Sequence, residues 1–351
     1  MIKFLKNIKR RLNHFIHNIL PKYFVVSPFF SSLYYLLFSS KFRREQHATL
    51  KGRLKYMGEV KADNSNRFTL VRNTHRIEKG LLMRPRKPIF ALDYIEETMV
   101  AFEKIWDGTL VNQNRQQKWF YDVLNEYFTA TEGQDALEEY RMRFKHAVDP
   151  MAEYIGPKNI KSIPYLRKIN AVPDVSYDQF FKLTRQRRSV RWFLDKEVPR
   201  DLLDKAILAA NQSPSACNRQ PFYYRIIDDP KMRVEVSKLP RGIRGYAENI
   251  PVLIVVVGDL SAYFDERDRH IIYIDSSLAS MSLMLALETL GLSSCAINWP
   301  DIEELEKVME ETLNLKVSER PIMCLAVGYP DPEGQVAYSE KKSIEEIRIY
   351  N

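Results

Sequence analysis

Two apolar runs and one apolar helix constrain the fold of the C-terminal half. The runs at 251–257 (PVLIVVV) and 321–327 (PIMCLAV) are short and continuous, which is typical of strands buried on both faces. The segment at 271–290 is apolar around its circumference, so a helix here is buried, often at a subunit interface. Residues 222–229 (FYYRIIDD) add a third strand with aromatic and β-branched content. We therefore predict a layered domain of strands and helices.

The stretch at 185–222 combines a knot of cations with a small polar turn. Its first residues are Arg185, Arg187, Arg188, Ser189 and Arg191. Guanidinium groups bind phosphate oxygens bidentately, and a serine hydroxyl adds a hydrogen bond.

The same stretch closes on SPSACNRQP at 213–221, a turn that suits the edge of a flat heterocycle. Together the two parts predict a phosphorylated planar cofactor. The structural alternative is a solvated helix end followed by an ordinary turn. The chain has only 12 glycines and no glycine-rich nucleotide motif, which argues against a Rossmann or P-loop site.

The positive charge is concentrated at the N-terminus. Residues 1–60 hold twelve Lys and Arg against two Glu, a net charge of +10, whereas the whole chain carries +8. A basic arm favours an anionic surface such as a membrane or nucleic acid. The alternative is a solvated helix face that contributes only solubility. Nucleic acid is not expected as a partner, because no recognised binding module accompanies the cations.

The first 45 residues form a basic, aromatic arm. Residues 1–22 have apolar side chains at helical spacing, and 23–40 (YFVVSPFFSSLYYLLFSS) carry no formal charge. Five serines and Pro28 make 23–40 a poor spanning helix, and we expect no signal peptide because a basic helix comes first and no cleavage site follows. An interfacial anchor is the membrane interpretation that fits. The alternative is an arm packed on the protein's own body or dimer.

His75 and Glu78 form an H-x-x-E pair in the segment 67–84. The pair could supply two metal ligands from one helix face, but no third ligand has a suitable spacing, so we predict no metal. An interdomain or subunit contact is the preferred interpretation, with an additional anion clamp as the alternative. The three cysteines, Cys217, Cys295 and Cys324, lack metal or disulfide spacing and suit a reducing cytoplasm.

Composition shifts suggest four parts. Helices are predicted at about 89–106, 114–130 and 134–148, and four prolines follow within 150–175. We therefore predict an arm at 1–45, a helical domain at 46–150, a Pro-rich linker at 151–175 and a second domain at 176–351. Ser176 is predicted to cap the first helix of that domain.

The second domain resembles the nitroreductase family of FMN-dependent oxidoreductases. The matching segments occur in family order, over about half of the chain: RRSVRWF at 187–193, SPSACNRQPF at 213–222, PVLIVVVGD at 251–259, the helix and loop at 274–295, and AVGYP at 326–330. The resemblance implies an α+β fold, in which a mainly antiparallel sheet is sandwiched by helices. It also implies an intertwined homodimer with FMN at the subunit interface.

The resemblance also implies specific FMN contacts. The phosphate and flavin contacts fall on Arg187, Arg188, Ser189 and Arg191, and a turn from the partner subunit supplies Pro214, Ser215, Asn218 and Gln220. A late basic phosphate ligand falls on Lys341 or Lys342, with Lys341 preferred. The segment beside the isoalloxazine ring contains Ala296, Ile297 and Asn298. Here the chain departs from the family, which often has a glycine-rich or acidic segment at this place.

The expected activity is transfer of hydride from NADH or NADPH through flavin N5 to a small-molecule acceptor. No side chain is assigned as a catalytic acid or base, because the flavin carries the chemistry. One alternative is a flavin-dependent oxidase or dehydrogenase that tailors a biosynthetic intermediate. Another is a membrane-surface interaction protein with a regulatory flavin fold. The expected location is the cytoplasm, with peripheral contact at the inner face of the membrane through residues 1–45 as the alternative.

Overall fold

A computed structural model describes residues 2–61, 66–154, 161–167, 173–243 and 245–351 of the chain. It shows an α+β fold with a helical N-terminal region, which confirms the predicted fold class. Residues 155–160 and 168–172 of the predicted linker lie outside the described residues. The domain boundaries therefore stay a prediction.

One antiparallel sheet organises the C-terminal half. Its strands are β1 (Phe222–Ile227), β2 (Val252–Asp259), β3 (Ser293–Asn298) and β4 (Glu319–Gly328), in the order β1-β2-β4-β3. All three pairings are antiparallel. The predicted strands at 222–229, 251–257 and 321–327 are thus confirmed, because continuous apolar runs are a local signal that the sheet buries on both faces.

Fourteen α-helices are present in the described ranges. In chain order they are α1 (Ile2–His14), α2 (Pro21–Phe24), α3 (Pro28–Phe38), α4 (Arg43–Lys61), α5 (Arg67–Leu81), α6 (Ile95–Ile105), α7 (Arg115–Ala130), α8 (Glu138–Val148), α9 (Tyr177–Gln186), α10 (Arg200–Ala210), α11 (Pro230–Val236), α12 (Ile271–Thr289), α13 (Glu303–Leu313) and α14 (Ile344–Ile347).

Separate cores lie on the two faces of the sheet. On one face, α10 and α12 pack with Ile254, Val256 and Leu325. On the other face, Leu253 and Val255 pack with residues of α11 and α13. Residues alternate between faces along β2, so its whole apolar run is buried. This burial supplies the main hydrophobic stabilisation of the domain.

α12 is the apolar helix that the sequence predicts, and one of its faces is buried. Across the described ranges, Glu266–Thr289 is the one helical stretch long and apolar enough to span a membrane. Its residues Ile272, Leu283 and Leu287 are fully buried against the sheet. One face of the helix therefore packs into the core, whereas Ile274, Leu278 and Met281 on another face are exposed within the single chain.

The N-terminal helices form their own core and also contact the sheet domain. We call α5 to α8 (67–148) the helical unit; its core includes Leu70, Ile77, Phe102, Phe120 and Tyr127. α4 packs against the backbone at Leu260, where a Cβ added to Gly52 would lie 2.7 Å from the Leu260 carbonyl carbon. Only glycine permits so close an approach.

Most predicted helix limits agree with the structure, with one clear error. The helix predicted at 89–106 begins only at Ile95, because Ala91 has a left-handed backbone conformation (φ 68°) that a right-handed helix excludes. The predicted cap at Ser176 is confirmed: its hydroxyl accepts from the Gln179 amide at 3.2 Å, and Gln179 accepts from the Ser176 amide at 2.8 Å. This reciprocal pair is a capping box.

Candidate functional site

The predicted phosphate ligands lie in an extended segment beside the edge of β3. Ser189 forms a parallel bridge with Ser294, and the Val190 amide donates to the Ser294 carbonyl at 3.1 Å. Within the described residues, Arg187, Arg188 and Arg191 form no ion pair with a carboxylate within 4 Å. The Nε of Arg187 is buried without a hydrogen-bond partner. Three unpaired guanidinium groups in five residues suit a phosphate.

Arg187 also lies near the C-terminal end of α12. Burial raises the pKa of Glu288, while the hydrogen bond from Ser293 and the charge of Arg187 act in the opposite direction. A cation near a helix C-terminus is favourable. The helix end therefore helps to place Arg187 without neutralising it through a close ion pair.

The predicted flavin turn at 213–221 has a strained backbone. Cys217, Asn218 and Gln220 have φ values of 53°, 54° and 50°, a left-handed conformation that costs about 1–3 kcal/mol for a residue other than glycine. The side chains of Asn218 and Gln220 are joined by a 3.0 Å hydrogen bond. Such strain persists only where the surroundings determine the conformation, and it is common at ligand sites.

Asp275 of α12 holds this turn in place. Its Oδ2 accepts hydrogen bonds from Ser215 Oγ at 2.7 Å and from the Ala216 amide at 3.0 Å, and Ser215 Oγ in turn accepts from the Gln220 amide at 2.8 Å. Asp275 is only 3% exposed. Asp275 could not be found from the sequence alone, because an aspartate inside an apolar helix gives no local indication of its distant partner.

Replacing Asp275 with Ala is expected to weaken binding of the predicted FMN by about ten- to a hundredfold. The turn loses two hydrogen bonds to a buried carboxylate, and only part of the roughly 1.5–3 kcal/mol that each contributes to holding the turn is expected to appear as lost binding. The measurement is titration of the full chain with FMN. Asp204→Ala, a change to an exposed acid on α10, is the matched control and should bind as wild type. Equal affinity of the Asp275 variant would contradict a role in holding the turn.

A pH dependence of stability also follows from Asp275. Burial raises its pKa, against the smaller effects of the Ser215 and Ala216 hydrogen bonds and of Arg219. A raised folded-state pKa means that the native protein binds the proton more tightly than the unfolded chain. This contribution to stability is present at low pH and falls as pH rises from about 4 through the folded pKa. We expect the free energy of unfolding of wild type, measured by urea unfolding at several pH values, to fall over this range relative to that of Asp275→Asn. A constant difference between the two proteins across the range would contradict this expectation.

The predicted ring-side residues lie on β3 and alternate in exposure. Ala296 and Asn298 are exposed, whereas the side chain of Ile297 is 4% exposed and belongs to the core. The sheet edge therefore presents Ala296 and Asn298 to a ligand, and Ile297 only through its backbone. Cys295 and Cys324 are buried.

Lys341 and Lys342 lie on an exposed C-terminal segment. In the described part of the chain their ammonium groups make no hydrogen bond or ion pair. Their role as phosphate ligands stays a prediction.

The two parts of the predicted site lie at different positions along α12. Asp275 accepts hydrogen bonds from the predicted flavin turn, and Glu288 lies within the electrostatic influence of Arg187. At a rise of 1.5 Å per residue, these two positions are about 20 Å apart along α12. α5 of the helical unit also contacts the turn at Ala216–Asn218, a contact that sequence reasoning did not find. In α5, Nδ1 of His75 lies 3.4 Å from Oε2 of Glu78. The described residues contain no cluster of three metal-binding side chains.

Comparison with known proteins agrees with the family resemblance of the sequence. The model of the nitroreductase family matches residues 184–243 and 238–329. A protein of Methanothermobacter thermautotrophicus, described as an NADH dehydrogenase/NAD(P)H nitroreductase, is 30% identical over 160 residues, which are 44% of this chain and 80% of that protein. The chain belongs to the nitroreductase family, as the sequence predicted.

Other relatives are named iodotyrosine deiodinases. Human iodotyrosine deiodinase 1 is 22% identical over 55% of this chain and 76% of its own length. The iodotyrosine deiodinase of Thermotoga neapolitana is 27% identical over 43% of this chain and 88% of its own. Among solved structures, an FMN-dependent nitroreductase of Clostridium difficile aligns with a TM-score of 0.42 and 23% identity, over 49% of this chain and 99% of that one.

Proposed function

We propose that this protein is an FMN-dependent oxidoreductase of the nitroreductase type. The observation that supports it best is the group Arg187, Arg188 and Arg191, which is unpaired in the described residues although it lies beside the sheet edge. A dianionic phosphate would neutralise this positive charge and would give the buried Arg187 Nε an acceptor.

Named residues would hold and orient the cofactor. Arg187, Arg191 and Ser189 bind its phosphate, and Ser215, Asn218 and Gln220 offer donors and acceptors to the pyrimidine edge. Arg188 provides positive charge at the pyrimidine end. When bound, FMN supplies hydride transfer at N5 between a reduced nicotinamide and an acceptor. Ala296 and Asn298 on β3 border the space that the acceptor enters.

A homodimer completes this arrangement. The arginines and the flavin turn lie along α12 at positions about 20 Å apart, so we infer that each site combines the arginines of one subunit with the turn of its partner. An uncovered apolar stripe on α12 supports this pairing: Ile274, Leu278 and Met281 are 52%, 45% and 39% exposed. A second uncovered apolar face lies on α9, at Tyr177, Phe180 and Phe181.

The acceptor is a small molecule, and the relatives suggest two classes. The name of the archaeal relative favours a nitroaromatic or quinone acceptor, with NADH or NADPH as the donor. The names of the deiodinase relatives favour reductive removal of halogen from an aromatic ring. A flavin-dependent oxidase or dehydrogenase acting on a biosynthetic intermediate is the third candidate.

Turnover assays separate these candidates. The purified full chain, loaded with FMN, is mixed with NADH or NADPH and then with a nitroaromatic, a quinone or iodotyrosine. Rapid flavin bleaching by a nicotinamide, followed by reoxidation by one acceptor, is the expected result. Absence of bleaching by either nicotinamide would contradict the proposed donor and favour the oxidase alternative.

We further propose that residues 1–45 rest on the cytoplasmic face of a membrane. The first 42 residues contain seven Lys and Arg and no acid. The apolar side chains of α1 and α3 are exposed: Phe4 is 69% exposed, Leu5 57%, Phe29 71% and Leu36 69%. Uncovered apolar side chains beside unpaired cations are typical of an interfacial anchor.

The full chain is expected to float with vesicles that contain phosphatidylserine and not with neutral vesicles. Replacing Lys3, Lys6, Lys9, Arg10 and Arg11 with Gln should abolish flotation, since each cation near such a surface contributes about 1 kcal/mol. The control replaces the five exposed lysines of 182–238 with Gln: Lys182, Lys196, Lys205, Lys231 and Lys238. Unchanged flotation of the arm variant would contradict the membrane proposal.

A further inference from the structure

A cavity of about 520 Å³ lies between the helical unit and the sheet domain. Arg67 and Phe68 at the start of α5 and Gln116 of α7 form one wall. Arg219, Gln220 and Tyr224 belong to the opposite wall. The cavity therefore borders the flavin turn on the side that faces the N-terminal region.

Arg219 is a buried cation without a close counter-charge. It is 6% exposed, and within the described residues its guanidinium makes no hydrogen bond or ion pair. Its guanidinium lies over the ring of Tyr263, 5.2 Å from the centroid. Asp275 acts on it through space, but that carboxylate already accepts from Ser215 and Ala216 and lies beyond ion-pair distance. A buried charge in this state is costly unless a ligand pairs with it.

The remaining cavity wall matches an organic anion. None of the described lining residues is acidic, and Arg67 adds a second cation from the opposite side. Arg67 Nε donates to Gln116 Oε1 at 3.2 Å, and this bond holds its guanidinium at the cavity wall. The aromatic residues Phe68, Tyr223 and Tyr224 provide surfaces for a flat body.

We propose that this cavity binds an organic anion with a flat aromatic body, its carboxylate or phosphate held between Arg67 and Arg219. The proposed ligand site is inferred from the two arginines and the cavity alone. Its coupling to the flavin through Gln220, which belongs to both sites, rests on the proposed function. The N-terminal region thereby contributes directly to ligand selection next to the cofactor.

Benzoate is the probe for this site, with acetate and benzyl alcohol as partial probes that keep only the charge or only the ring. Calorimetric titration of the full chain should show saturable binding of benzoate, tighter than that of either partial probe. Arg219→Met and Arg67→Met should each weaken benzoate binding by about tenfold or more, since each removes a charge-assisted hydrogen bond. Arg348→Met, at an exposed arginine beside Tyr350, should leave binding unchanged.

Two results would overturn the proposal: no saturable binding of benzoate by wild type, or wild-type affinity in both cavity variants. Arg67 is exposed at the surface, so its variant keeps the test valid if Arg219→Met does not fold. FMN titration of the same samples separates the failures. FMN binding without benzoate binding rejects the cavity site alone, and benzoate binding without FMN binding rejects the proposed cofactor alone.

Discussion

Replacing both Arg187 and Arg191 with Gln is expected to weaken FMN binding by about two to four orders of magnitude. Each guanidinium is expected to contribute charge-assisted hydrogen bonds to the phosphate, and each such bond contributes about 1.5–3 kcal/mol. Because the described residues provide neither arginine with a carboxylate partner, the substitutions break no ion pair in the free protein. The effect therefore falls on binding rather than on folding.

FMN fluorescence titration of the full chain measures this loss directly. Arg185→Gln is the matched control, since Arg185 is an exposed cation in the same segment and lies outside the proposed site. Its variant should bind FMN as wild type does. Similar affinity for all three proteins would show that the arginines do not hold the phosphate.

Replacing Arg320 with Met is expected to lower the free energy of unfolding by about 3–5 kcal/mol, the usual cost of leaving a buried charge uncompensated. Arg320 is 1% exposed and donates to Asp301 at 2.9 Å and to Glu306 at 3.3 Å. Glu306 is also 1% exposed, and it accepts from the indole of Trp299, which follows β3. This network fixes the segment that follows Asn298, the last residue of β3.

Urea unfolding at neutral pH tests this prediction. Lys307→Met removes one member of an exposed pair with Glu311 and should change stability by about 1 kcal/mol or less. Glu306→Gln is the second variant, because it keeps the shape of the side chain while removing the buried negative charge. Comparable stability of Arg320→Met and Lys307→Met would contradict the importance of the buried network.

Local patterns in the sequence predicted the strands, the buried helix and the family. The runs at 251–257 and 321–327 specify strands because every residue in them is apolar, and burial on both faces is the outcome that satisfies such a run. The capping pair Ser176 and Gln179 is likewise local. These features depend on neighbours within a few residues, which a single sequence displays.

Contacts between distant residues could not be predicted. Asp275 and Ser215 are 60 residues apart, and nothing in the apolar helix indicates that its aspartate receives the flavin turn. The contact of α5 with the same turn, and the cavity beside it, join residues about 150 positions apart. The helix predicted to begin at 89 begins instead at Ile95 for a local reason, the left-handed backbone conformation of Ala91.

The helical unit changes the interpretation of the N-terminal half. It has its own core, yet α5 contacts the flavin turn and lines the adjoining cavity. Under the proposed function, a region placed there restricts which acceptor approaches and responds to a ligand bound in the cavity. We therefore expect substrate selection to depend on residues outside the segments that match the family.

The visible spectrum of the purified full chain after incubation with FMN and removal of free flavin tests the central claim most directly. A retained flavin absorption band that is lost in the Arg187→Gln, Arg191→Gln variant and bleached by NADH or NADPH is the predicted result. No retained flavin in wild type, under conditions where the protein is folded, would contradict the account.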